Sequence, residues 1–280
     1  MRIVCTTLLA VLATMAFVPV MATAKPHPAK QAGGSDDVDL QVAALTSLQE
    51  LDLTNEQLKR LKELAGAVIP GKRVGEPRQS DALKAALAEL RDALAADDHD
   101  KIGDAQEKVG MAREQDKAVT APEVEITESA RQKAPDAIAI LKASQLAGYF
   151  AAHQDDVPDP LQTMTDALDQ IAEAAAPEEY AAIRTETSGQ VALLLAGLDP
   201  AAQQPIAQKV GQWLDKAHAM DAGKRTAHRP ALEQAAKELV GHPDPFQALR
   251  HWSEREMASL LSNPALPFAL DKQLANPAGD

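Results

Sequence analysis

The chain has 280 residues, with 28 Lys and Arg against 41 Asp and Glu, for a net charge of −13. Such an acid excess disfavours nucleic acid and anionic lipid surfaces as partners. A single cysteine, Cys5, leaves no pair for an internal disulfide.

The first residues read as a secretory signal peptide. Met1-Arg2 gives a positive start, an apolar stretch runs from Leu8 to Val20, and Ala22-Thr23-Ala24 supplies small residues for cleavage. Removal of residues 1–24 leaves 256 residues, takes Cys5 and Arg2 away, and sets 27 basic against 41 acidic side chains, a net −14. The mature chain is then cysteine-free and periplasmic or secreted. No later segment is predicted to span a membrane: the longest strongly apolar run, Val191 to Gly197, is far short of about twenty residues. Residues 25–38, rich in Pro, Gly and charge, read as a flexible tether.

Beyond the tether the apolar period is helical, and the predicted fold class is all-α. An N-terminal helical region over 39–120 carries predicted helices near 40–50, 55–68, 81–96 and 100–116. Leu83, Leu87, Leu90 and Leu94 form one stripe, and Ile102, Ala105, Val109 and Ala112 another. No Phe, Tyr or Trp occurs between Lys25 and Gly148, so these helices pack through Leu, Val and Ala in a hairpin-like arrangement. A break near Pro122 separates them from a predicted C-terminal domain over 121–280. All seven later aromatics lie there (Tyr149, Phe150, Tyr180, Trp213, Phe246, Trp252 and Phe268) and imply a multi-helix globular bundle.

The helix predicted over 135–153 is apolar on all sides, through Ile138, Ile140, Leu141, Leu146, Tyr149 and Phe150, and so is expected at the centre of that bundle. Asp159-Pro160, Ala176-Pro177, Asp199-Pro200, Asp244-Pro245 and Asn263-Pro264 mark further helix starts, since proline lacks only an N–H that the first turn leaves unpaired. These place helices near 160–175, 177–198, 200–219, 230–240, 245–262 and 265–274.

Leu53-Thr54-Asn55-Glu56-Gln57 carries the Leu-Thr-x-x-Gln signature. In this short segment the chain resembles the LTxxQ-motif family of periplasmic stress adaptors and chaperones. The resemblance implies a helical envelope protein that binds misfolded chains or a sensor domain, without catalysis. Family members carry two such motifs; here the second candidate, Ile126-Thr127-Glu128-Ser129-Ala130, lacks the glutamine. Read without the family, Thr54 and Gln57 make a capping box at a helix start.

Other motifs carry no chemistry. Gly66 to Arg73 approaches a phosphate-binding loop, but Arg73 replaces the magnesium-binding hydroxyl and a helix precedes it. Asp97-Asp98-His99-Asp100 fails the calcium-loop spacing. Asp215-x-x-His218 and His251-x-x-Glu254 each offer two ligands, fewer than zinc requires. No catalytic residue, cofactor or metal centre is predicted. Glu256 falls inside the apolar face predicted for 246–261, and a carboxylate there needs a partner. Lys142 is the expected partner, Arg131 the next, and Lys142, Arg250, His251 and Glu256 together are the candidate binding residues.

The predicted function is non-catalytic binding of other envelope or secreted proteins, through an exposed apolar groove along the aromatic-free helices. The alternative is an uncharacterised enzyme or small-ligand receptor with an enclosed pocket in the C-terminal helical domain.

Overall fold

The computed structural model describes residues 37–74, 79–116, 122–174, 176–242 and 244–275. The predicted signal peptide and residues 25–36 of the tether lie outside these.

The fold is all-α. Among the described residues the helices are α1 (Val38–Glu50), α2 (Asn55–Gly66), α3 (Asp81–Ala96), α4 (His99–Asp116), α5 (Glu128–Ile138), α6 (Ala143–His153), α7 (Pro160–Glu173), α8 (Pro177–Ala196), α9 (Pro200–His218), α10 (Ala222–Val240), α11 (Pro245–Ser262) and α12 (Leu266–Ala275). One antiparallel ribbon joins β1 (Arg73–Val74) to β2 (Glu123–Val124), with Arg73 opposite Val124 and Val74 opposite Glu123. Side-chain oxygens of Asp37, Thr54, Ser80, Thr127, Asp159, Asp199 and Asp221 accept first-turn N–H groups of α1, α2, α3, α5, α7, α9 and α10. Each satisfies donors that a helix start leaves without intrahelical partners.

Several expectations are corrected. Val38, assigned to the tether, is the first residue of α1 under the Asp37 cap. The helix expected to start near Pro230 starts at Ala222 instead, because Asp221 caps it. Pro230 sits within α10 on the exposed side, where the Thr226 carbonyl it leaves unbonded can meet water.

The single helix over 135–153 is two. Thr127 starts α5 early, and α6 begins after a turn in which the Gln145 Oε1 accepts the Lys142 N–H at 2.8 Å. Ile140 and Leu141 therefore belong to the turn and Ile138 to α5, which takes half of the apolar girdle away from α6, and no residue of α6 is buried. The aromatics, finally, do not build the core: Trp213 alone of the seven is buried, and Phe246 is 79% exposed.

The chain forms two units, 153–252 and 37–152 with 253–275. The first is inserted in the sequence of the second, so the predicted 121–280 domain is shared between them. Just past the break expected near Pro122, β2 pairs with β1 within the unit of 37–152 and 253–275.

In the unit of 37–152 and 253–275, α3 packs against both α4 and α1, and α12 against α1, α2 and α3. Leu83, Leu87, Leu90 and Leu94 are all buried, as are Ile102, Ala105, Val109 and Ala112 on α4. Each fully buried leucine contributes about 2 kcal/mol of transfer free energy. Gly71 approaches β2 so closely that a Cβ would overlap the Glu125 carbonyl oxygen, while its N–H donates to the Ser262 carbonyl at 2.7 Å. Beside it the Arg73 guanidinium bonds Asp39 at 3.1 Å and also Asp37, and the Gln79 amide donates to Asp39. Asp39 is only 3% exposed, and burial pushes its carboxyl above the ordinary range despite the hydrogen bond and charge of Arg73.

In the unit of 153–252, α7, α8, α9 and α10 enclose one core that includes Met164, Leu168, Ile171, Val191, Val210 and Leu214. The Trp213 Nε1–H donates to the Leu232 carbonyl at 3.1 Å, which satisfies the one polar atom of that side chain. Arg229 ties α10 to α7 through Asp169, at 3.1 Å on one branch. Gly197 ends α8 at φ +67°, ψ −150°, a conformation open to glycine, and a Cβ there would lie 2.9 Å from the His251 ring.

Arg73→Ala should destabilise the unit of 37–152 and 253–275 by about 3 kcal/mol or more, because it strands the buried Asp39 charge. Both tryptophans, Trp213 and Trp252, lie in the other unit. In urea, the far-ultraviolet dichroism transition should therefore move while the tryptophan-emission midpoint stays in place. Equal shifts of both probes would contradict the division into two units.

Candidate functional site

The four candidate binding residues are divided between the two units. Arg250 and His251 belong to the unit of 153–252, and Lys142 and Glu256 to the other. Lys142 is exposed in the turn before α6. Glu256 pairs with its neighbour Arg255 at 2.6 Å instead of with Lys142 or Arg131, and its side chain keeps 35% of its exposure. The expected buried strut is absent because α11 serves both units, Pro245 to Trp252 in one and Ser253 to Ser262 in the other. A single apolar face fitted to 246–261 therefore has the wrong direction: Ser253, Met257, Ala258, Leu260 and Leu261 are buried, whereas Phe246 is not. His251 has a packing role, with its Nδ1 2.9 Å from the Leu194 carbonyl and its ring against Gly197.

Thr54 and Gln57 form the capping box. The Thr54 N–H donates to Gln57 Oε1 at 2.9 Å, and the Gln57 N–H to Thr54 Oγ1 at 3.4 Å. The glutamine also reaches beyond the cap. Its Nε2 donates to the Ile140 carbonyl at 2.8 Å and to Gln145 Oε1 at 2.7 Å, tying the start of α2 to the turn before α6.

Asp215 and His218, considered as paired ligands, are engaged with α8. The Asp215 carboxylate accepts the Tyr180 hydroxyl at 2.6 Å and Arg184 at 2.7 and 2.9 Å, and the His218 ring stacks on Tyr180 at 3.8 Å between centroids. Arg184 and Tyr180 hold the Asp215 carboxyl down at about 2, while burial and the adjacent carboxylate push the Tyr180 hydroxyl up to about 12. A phenol held so firmly protonated is a poor nucleophile or base at neutral pH. The arrangement braces α8 against α9.

Among the described residues, a shallow groove of about 310 Å³ opens to solvent between α3 and α4. Ala82, Ala85, Ala86 and Ala112 line it with methyl groups. Met111, 51% exposed, stands at its edge, and Glu89 pairs with Lys108 across it. The apolar space among Leu51, Leu61, Ile140 and Met257 has no room for a water molecule and is core packing.

Comparison with protein families, curated proteins and solved structures gave no match. The groove's own chemistry must carry the reading. Sequence reasoning passed over Met111, although its position off the Ile102-Ala105-Val109-Ala112 stripe marks it as an apolar residue facing outward. Arg73 and Arg184 left no such signal, because their partners lie 34 and 31 residues away.

Asp215→Asn should weaken the unit of 153–252 by about 1 kcal/mol or less near neutral pH, since the pair is partly exposed. A carboxylate with depressed acidity contributes stability above its unfolded value near 3.8, and this is lost as pH falls toward about 2. The gap between wild type and variant, read by tryptophan emission in urea, should therefore close below about pH 3. A gap independent of pH would show that Asp215 acts through packing alone.

Proposed function

We propose that the chain is an exported, non-catalytic helical protein that binds other envelope or secreted proteins through the α3–α4 groove. The observation that carries this reading is the groove itself: an open channel floored by alanine methyls, with an exposed methionine and a single ion pair at its edges. Small residues let a partner's backbone or side chains come close, and methionine adapts to irregular apolar surfaces. Catalytic sites instead gather convergent polar groups in an enclosed pocket. The Leu-Thr-x-x-Gln resemblance points to the same class of function, and the signal-like residues 1–24 to the same compartment.

Ala85→Arg fills the groove with a charged side chain at an exposed helix position and should leave the fold intact. In a pulldown from envelope extract, wild type should retain proteins that Ala85→Arg and Met111→Asp lose by tenfold or more, at unchanged melting temperature. Retention equal to wild type by both variants would reject the groove as the binding face.

A further inference from the structure

Every Lys and Arg of the α3–α4 hairpin is turned toward an acid of its own chain. Lys101 lies 2.7 Å from Asp98, Arg91 2.7 Å from Asp92 and Lys84 3.9 Å from Asp81, while Lys108 pairs with Glu89 across the groove. Arg113 sets its charge against Asp39. Among the described residues, Asp100, Asp104, Glu107 and Glu114 have no ion-pair partner, and all four are exposed. With Met111 they follow one another along α4 at steps of four, three, four and three residues, which places them on one side of that helix. Met111 is also at the edge of the groove, so this acidic ladder runs beside the channel. Lys108 feels the charge of Asp104, but its ion pair is to Glu89.

Helix physics accounts for only the first rung. Asp100 is in the first turn of α4, where the positive end of the helix dipole favours an acid. Asp104 stands four residues from Asp100 and three from Glu107, spacings at which like charges repel. Glu114 lies in the last turn, where an acid opposes the dipole. The ladder is therefore a negative field that the chain leaves without compensation. It discriminates among occupants of the groove. Nucleic acid and anionic lipid carry the same sign as the ladder, and so does a second copy of this chain, at a net −13. The groove itself lies along two packed helices and is floored by Ala82, Ala85, Ala86 and Ala112, a form that admits a third helix along its length.

We propose that the segment taken by the α3–α4 groove is a cationic amphipathic α-helix. Short apolar side chains sit on its alanine floor, and Lys or Arg face Asp104, Glu107 and Glu114. This rests on the assignment of binding to the groove and adds the chemistry of what binds. Cations at alternating steps of three and four on a helix lying alongside α4 meet the ladder in register, as flanking charges do between paired helices. Their aliphatic stems cover Met111 while their charged ends stay in water. Charge of this kind at the rim sets partner choice and association rate.

Two labelled helical peptides of equal length test this, with the same Ala and Leu stripe and either Lys or Glu on the flanks. Each is titrated with the full chain and followed by fluorescence anisotropy. The Lys peptide should bind, the Glu peptide about tenfold more weakly or worse, and salt raised from about 0.05 M to about 0.5 M should weaken the Lys peptide severalfold. Asp104→Asn, Glu107→Gln and Glu114→Gln combined should weaken it roughly fivefold or more and flatten its salt dependence. Asp155→Asn, Glu173→Gln and Glu178→Gln, the same loss of charge at exposed positions of the other unit, should not. Ala85→Gln fills the groove without adding charge and should also weaken the Lys peptide severalfold, at unchanged melting temperature. The proposal is overturned by equal binding of the two peptides, by no binding of the Lys peptide, or by an affinity that the ladder variant or Ala85→Gln leaves unchanged. Equal weakening by both triple variants also overturns it, as does a dimer seen by light scattering that Ala85→Gln dissolves. Envelope proteins held by wild type and lost by Ala85→Arg, with no preference for the Lys peptide, would sink the cationic partner alone and leave the groove its binding role.

Discussion

The pairing of Arg73 with Asp37 and Asp39 is the constraint around which the unit of 37–152 and 253–275 is arranged. A carboxylate as deeply buried as Asp39 is costly unless a cation and further donors meet it, and here they arrive from three different parts of the chain. Arg73 comes from the connector after α2, Gln79 from the approach to α3, and Arg113 adds its charge from α4. Meeting these demands draws the connector onto the start of α1 and places β1 where β2 can pair with it. The close approach at Gly71 follows from the same arrangement, since only a residue without a side chain lets β1 lie against the Glu125 carbonyl.

Once its root is held in this way, the α3–α4 hairpin can divide its surface cleanly. The leucine stripe of α3 and the Ile-Ala-Val-Ala stripe of α4 turn inward, and Ala82 and Ala85 turn outward with Met111. An aromatic-free hairpin has thin side chains at its seam, and this leaves a channel rather than a ridge. In the other unit, paired polar groups join neighbouring helices, Asp215 with Tyr180 and Arg184, and Asp169 with Arg229.

Much of the fold was legible because it depends on local signals. The Leu83 to Leu94 stripe, the Thr54 cap and the Asp-Pro starts of α7 and α9 each act within one or two turns, so periodicity and capping chemistry locate these helices directly. What escaped depends on distant partners. The turn at 139–142 is stabilised by Gln145 and by Gln57, 83 residues from the Ile140 carbonyl it bonds, and neither marks a helix break in the local pattern. Glu256 was misplaced because a helical wheel assumes one environment along the whole of α11, whereas its two ends pack in different units. The aromatic imbalance likewise described composition and not burial. Aliphatic side chains fill most of both cores, and Trp213 is the one buried aromatic, with Tyr180 packed at the margin of the same cluster. Of the candidate site, the expectation of an apolar groove on the aromatic-free helices was available from the sequence, but its lining required knowing which face of α4 meets α3.

Site-specific photo-crosslinking tests most directly whether the α3–α4 groove is the binding face. A photoreactive residue would replace Met111 at the groove edge, with a control at Phe246, a still more exposed apolar position in the other unit. Irradiation in intact envelope extract should give discrete protein adducts from position 111, and none of the same adducts from position 246. The same adducts from both positions, or none from 111, would contradict the assignment of binding to this groove.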